Sequence, residues 1–129
     1  MTFSKRIEIR WRDLDGFGHV NNSTYLTYLE EGRDEYLTGL LGEAVHRVVV
    51  GRLEIDFRSG LVYDDEHVDV HMRLVEVGRS SARLEERIQS VADGRLAAEA
   101  KTIVVYTDDS RTASAPWPEE QRRRMEEAV

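Results

Sequence analysis

Apolar and polar residues alternate from Phe3 to Trp11. Phe3, Lys5, Ile7, Ile9 and Trp11 share one face, and Ser4, Arg6, Glu8 and Arg10 the other. A period of two predicts a half-buried strand over 3–12. The spacing then changes. Tyr25, Leu29, Gly32, Tyr36 and Leu40 recur at steps of three and four, and Leu26 and Leu37 widen the stripe. That is one face of a helix. Its stripe is long enough for a central buried helix, with Glu30, Glu31, Asp34 and Glu35 solvated beside it. Asn21 or Asn22 supplies the N-cap, and Gly39 and Gly42 end the helix.

Strand-like patterning returns from His46 to Phe57, where Leu53, Ile55 and Phe57 oppose Arg52, Glu54, Asp56 and Arg58. A break follows at Ser59-Gly60 and runs through Tyr63-Asp-Asp-Glu66. His67 to Val75 alternates again, with Val68, Val70, Met72 and Leu74 inward. Gly78-Arg-Ser-Ser81 reads as a turn. Ala82, Leu84, Glu86 and Ile88 make one face of a fourth strand. Asp93-Gly94 is a hairpin signal before a fifth strand over Arg95–Thr107. Pro118 then opens a short, charged helix that reaches Ala128, at about 117–128, expected to be peripheral or frayed. The order is strand, long helix, then four strands joined as a meander. One apolar helix against a five-stranded antiparallel sheet is an α+β layout, with its core at about 3–107.

The length of 129 residues fits one domain able to bury its core without staples. The chain has no cysteine, which removes disulfides, thiolate metal sites and cysteine nucleophiles. This fits a reducing cytoplasm, where the protein is expected. No signal pattern precedes the first strand, and no apolar run approaches the roughly 18 residues of a membrane span. A net charge of −7 argues against a general nucleic-acid surface. His67 and His71 lie four apart. On a strand that separates them by about 13 Å, too far to share one ion. His19 and His46 have no ligand spacing, so no metal is expected.

The chemistry concentrates between the first strand and the helix. Asp13-Leu-Asp-Gly-Phe-Gly-His-Val-Asn-Asn22 packs two carboxylates, two glycines, a histidine and two amides into a connector. A plain connector needs only a turn former and a cap. A helix N-terminus offers free N–H groups, and a nearby carboxylate can act as a base or nucleophile. Asp15 is the leading candidate for that carboxylate. Gly16 and Gly18 allow positive φ or close approach to a ligand. Asp13, His19 and Asn21 are candidate orienting groups. Each has a plainer reading: Asp13 pairs with Arg10 or Arg12, His19 is structural, and Asn21 bonds the loop backbone.

The run from Arg10 to Arg33 resembles the opening motif of the hotdog-fold acyl-CoA thioesterases of the 4-hydroxybenzoyl-CoA thioesterase family. The resemblance extends from about Lys5 to Tyr106. It includes the element order, the helix length and the Gly78-Arg-Ser-Ser81 turn. It implies a helix enclosed by the sheet, subunits paired edge to edge, and an active site between subunits beside the helix N-terminus. It also implies that Asp15, second in Asp-x-Asp, is the catalytic carboxylate. The oxyanion donor then falls on the backbone amide of Asn22. Some members carry Tyr or His there, so a side-chain role at that position does not transfer.

A CoA thioester as substrate calls for cationic and hydroxyl contacts to its phosphates, with Arg58, Arg79, Ser80 and Ser81 as candidates. CoA is then part of the substrate, and no separate cofactor is expected. Open sheet edges favour a homodimer or homotetramer. Two other readings stay open: a non-catalytic acyl-CoA-binding domain, and a thioesterase for acyl-carrier-protein thioesters.

Overall fold

A computed structural model describes residues 2–129. Strand β1 is Thr2–Glu8, helix α1 is Asn22–Leu41, and β2 is Val48–Phe57. Strands β3, His67–Val77, β4, Ser81–Ser90, and β5, Leu96–Tyr106, follow, and helix α2, Glu119–Ala128, closes the chain. The five strands form one antiparallel sheet in the order β1-β3-β4-β5-β2. This is the hotdog architecture, with α1 held against the inner face of the sheet.

The helix forms where the stripe predicts it. Tyr25, Leu29, Gly32, Tyr36 and Leu37 are buried, joined by Tyr28, Arg33 and Leu41. Burying each large apolar side chain contributes roughly 1.5–3 kcal/mol. They meet Val68, Val70, Met72, Leu74, Leu84 and Ile88 from the central strands. Gly32 sets the closeness of that contact. A Cβ there would lie 2.8 Å from Val70 Cγ1 and 3.2 Å from Met72 Cε.

Several expectations need correction. Leu26 is 41% exposed and lies off the core stripe. The first strand ends at Glu8, and Trp11–Asp13 forms a 3₁₀ turn that leaves Trp11 75% exposed. The meander holds only for β3, β4 and β5. Strand β2 sits at the far edge beside β5, while β3 pairs with β1. The segment 58–66 therefore crosses one end of the sheet, past the helix N-terminus. Helix α2 is not frayed. Met125 and Ala128 are buried, and the buried Trp117 stacks near Tyr106 with ring centroids 5.4 Å apart. Its apolar anchors are few but lie on one side, which a mean over so charged a helix hides.

Candidate active site

The connector folds into a miniature hairpin. Leu14 bridges Val20, and the Asp15 amide donates to the His19 carbonyl at 2.7 Å. Gly18 turns the tip with a φ of 86°, which glycine adopts without strain. The Asp15 side chain is drawn into this turn. Its Oδ1 accepts the Phe17 amide at 2.8 Å and the His19 amide at 3.2 Å. Oδ2 is engaged by neither. The Phe17 amide, with a smaller contribution from that of His19, outweighs desolvation and holds the Asp15 carboxyl below its usual range. Asp15 is a fixed, ionised carboxylate at neutral pH.

Asp13 has the opposite setting. It is buried, and its Oδ2 accepts the Tyr28 hydroxyl at 2.7 Å and the Arg10 amide at 2.9 Å, with the Arg10 guanidinium at 3.4 Å. Burial pushes its carboxyl up, but the Arg10 amide, the Tyr28 hydroxyl and the Arg10 charge together bring it below the usual value. Its carbonyl accepts the Asn21 amide at 2.8 Å, fastening the loop to the helix start. Asp13 pairs with Arg10, not Arg12, and supports the loop from within.

Asn21 is the N-cap. Its Oδ1 accepts the Ser23 amide at 3.0 Å, and its carbonyl accepts the Thr24 amide at 2.9 Å. Asn22 is thus the first helical residue. Among the described residues, nothing accepts the Asn22 N–H. The first turn presents this open donor at the positive end of a helix running to Leu41. His19 acts on Asp15 through its backbone. Its ring packs over Gly60, where an added Cβ would stand 3.3 Å from His19 Cδ2.

A second loop braces the first. The Val20 amide donates to the Leu61 carbonyl at 2.8 Å, and His19 bridges Val62. The Tyr25 hydroxyl, from the helix, donates to the Ser59 carbonyl at 3.3 Å and accepts the Leu61 amide at 3.1 Å. Beneath lies the buried Asp65. It accepts the Val62 amide at 2.9 Å, the Ser90 hydroxyl at 2.9 Å and Arg95 Nη2 at 3.0 Å. Burial pushes the Asp65 carboxyl up, and these three donors bring it below the usual range. Tyr28, Tyr25, Asp65 and Arg95 each have a partner far along the chain, which local sequence rules do not reach.

The candidate phosphate contacts divide. Arg58 lies at the loop end of the sheet and bonds Glu99 at 2.6 Å. Arg79, Ser80 and Ser81 sit at the other end, roughly 30 Å away along strands of this length. Within one chain they do not join the loop. Their turn also anchors the C-terminal segment: Ser81 O accepts Trp117 Nε1 at 3.0 Å, and Arg79 O accepts the Trp117 amide at 3.1 Å.

A shallow depression of about 460 Å³ lies elsewhere, on the outer face of the sheet, among Glu54, His71, Arg73, Glu85, Arg87 and Lys101. It is a lattice of mixed charges with no helix end beside it, and the loop is the better site. Among the described residues, no three His, Asp or Glu side chains are grouped to hold a metal. No helix among them is long and apolar enough to cross a membrane.

Known proteins resemble this chain in sequence and in fold. Residues 9–125 match the model of the thioesterase-like superfamily. The chain is similar to the long-chain acyl-CoA thioesterase FadM of Escherichia coli, at 27% identity over 96% of this chain and 97% of that protein. A thioesterase from Thermus thermophilus, solved with coenzyme A and Zn, superposes with a TM-score of 0.85 at 35% identity, covering 95% of each chain. A Bacillus stearothermophilus structure described as a predicted thioesterase gives a TM-score of 0.89 at 26% identity, covering 100% of this chain and 97% of that one. The chain belongs to the thioesterase-like superfamily and is a thioester hydrolase of the hotdog fold.

Proposed function

We propose that this enzyme hydrolyses acyl-CoA thioesters, with Asp15 as general base or nucleophile and the Asn22 amide as oxyanion donor. The observation that carries the reading is the closeness in sequence of an ionised, hydrogen-bonded Asp15 and the open Asn22 amide that begins the helix. Charge developing on the thioester carbonyl oxygen needs such a donor. Asp15 either deprotonates water for attack on the carbonyl carbon or attacks it directly, giving an anhydride that water then opens. CoA thiolate leaves without a strong general acid. The relatives named for acyl-CoA hydrolysis and for coenzyme A binding support CoA as the thiol half. No separate cofactor enters the reaction.

The enzyme works as a homo-oligomer built on an edge-to-edge dimer. Edge strand β2 leaves Val49, Val50 and Phe57 exposed. Antiparallel pairing of β2 with a second copy would reverse the partner's sheet end for end. The Arg79–Ser81 turn of one subunit would then come to the loop end of the other.

The test is a panel of short, long and aryl CoA esters and acyl-carrier-protein thioesters, read by thiol release. Asp15→Asn is expected to lower turnover roughly 10²–10⁴-fold with the fold intact. Hydrolysis needs Asp15 ionised, and its carboxyl is held low. Parent kcat/KM should therefore persist as pH falls through the ordinary carboxylate range and drop only below it. An Asp15→Asn enzyme at the parent rate would sink the reading. Tight CoA-ester binding without thiol release would identify a binding domain instead.

A further inference from the structure

We infer that Arg95 and Asp65 are positioning residues for the reaction, acting through the segment 59–62 as a shelf that sets the Asp15 hairpin against the helix N-terminus. The inference rests on the roles given above to Asp15 and Asn22. Arg95 binds four groups at once. Its Nε reaches Ser59 Oγ at 3.2 Å, its Nη1 reaches Asp93 at 2.5 Å, and its Nη2 reaches the Gly60 carbonyl at 2.9 Å and Asp65 at 3.0 Å. Three of these are on the shelf or directly beneath it. Asp65 adds the Val62 amide, so the cation and the anion between them grip Ser59, Gly60 and Val62.

The top of the shelf carries the functional loop. Leu61 holds Val20, Val62 bridges His19, and Gly60 floors the His19 ring. The His19 amide in turn donates to Asp15 Oδ1, and its carbonyl accepts the Asp15 amide. Tyr25 ties the same shelf to the first turn of α1. The route from Arg95 to both reacting groups is therefore continuous: one branch ends on Asp15, and the other on the helix that presents Asn22. A guanidinium is needed because its planar fork can serve several acceptors in fixed directions, which an ammonium cannot. Small displacements of reacting groups are costly to rate, so loosening this floor lowers turnover more than binding.

The experiment compares Arg95→Gln, Arg95→Lys and parent by hydrogen–deuterium exchange and steady-state kinetics. Arg95→Gln is expected to speed exchange across 14–22 and 59–62 while β3–β5 stay protected. Its kcat should fall roughly 10- to 100-fold with KM within about threefold. The acid limb of its kcat/KM profile should move up toward the ordinary carboxylate value, as Asp15 loses the His19 amide. Arg95→Lys keeps the charge but not the fork and should fall between. Should Arg95→Gln not fold, Gly60→Ala applies the same test, since its Cβ presses on the His19 ring from the shelf. Unchanged exchange at 14–22 overturns the inference whether or not the parent hydrolyses any thioester. Parental kcat and acid limb alongside faster exchange overturn the link to catalysis. An inactive parent instead counts against the acyl-CoA reading itself.

Discussion

A backbone donor leaves no side chain to delete, yet the position of Asn22 gives access to it. It is the first helical residue, and proline is tolerated there because that amide has no intrahelical acceptor. Asn21 before it is already extended, at φ −61° and ψ 139°, as a residue preceding proline must be. Asn22→Pro is expected to keep the fold and lower kcat roughly 10²–10³-fold, the range for losing one oxyanion donor. Asn22→Ala keeps the amide and should stay near the parent. Equal activity in the two variants would exclude the amide; equal loss would point to the side chain. At this scale the sequence was legible where chemistry is local. Asp15, Asn21 and Gly18 lie within a few residues of their partners, so turn and cap rules reach them. Asp13 was ambiguous because its deciding partner, Tyr28, comes round only once the helix has formed. Asp65 and Arg95 were invisible for the same reason, since Arg95 must cross the sheet end to meet Ser59, Gly60 and Asp65.

Between elements, α1 and the sheet share one buried ion pair in a largely apolar interface. Arg33 bonds Glu86 in two places at 2.9 Å each, and Glu86 Oε1 also accepts the Thr102 hydroxyl at 2.6 Å. Glu86 is 1% exposed and Arg33 5%. Alternation put Glu86 on the inner face of β4, but only the helix in place supplies the cation that makes this tenable. Glu86→Gln leaves Arg33 buried without its counter-charge and is expected to cost about 3–5 kcal/mol in urea unfolding. Arg33→Met, Glu86→Leu and Thr102→Val together should return the midpoint close to the parent, because all three polar groups leave at once. If Glu86→Gln alone unfolds at the parent midpoint, water reaches the pair and it does not fix the helix on the sheet. The strands themselves were legible from period two. Their order was not, because alternation specifies a strand's faces and says nothing of its neighbour. Patterning alone therefore reads β2 as the start of a meander, although it lies at the opposite edge, beside β5.

At the scale of the molecule, the two sheet edges are unequal. On β1, Arg6 pairs with Asp69 and Lys5 with Glu35, charged groups of the kind that blunt an edge. On β2, Val49 is 44% and Val50 47% exposed on adjacent positions, beside the Gly51 irregularity in its pairing with β5. The edge with exposed apolar side chains is β2, and it is continuous with the Phe57–Ser59 corner beside the helix start, where Phe57 meets Tyr25 with ring centroids 5.1 Å apart. Placing lysines there should keep the monomer fold and prevent pairing, since both side chains are already outside the core. The parent is expected to sediment as a dimer or a multiple of one. Val49→Lys with Val50→Lys should sediment as a monomer, retain its circular dichroism spectrum and lose most thioester turnover. A folded monomer that still turns over at the parent rate would mean that one chain holds the whole site. In that case the Arg79–Ser81 turn, roughly 30 Å from its own loop, would have no part in binding the substrate.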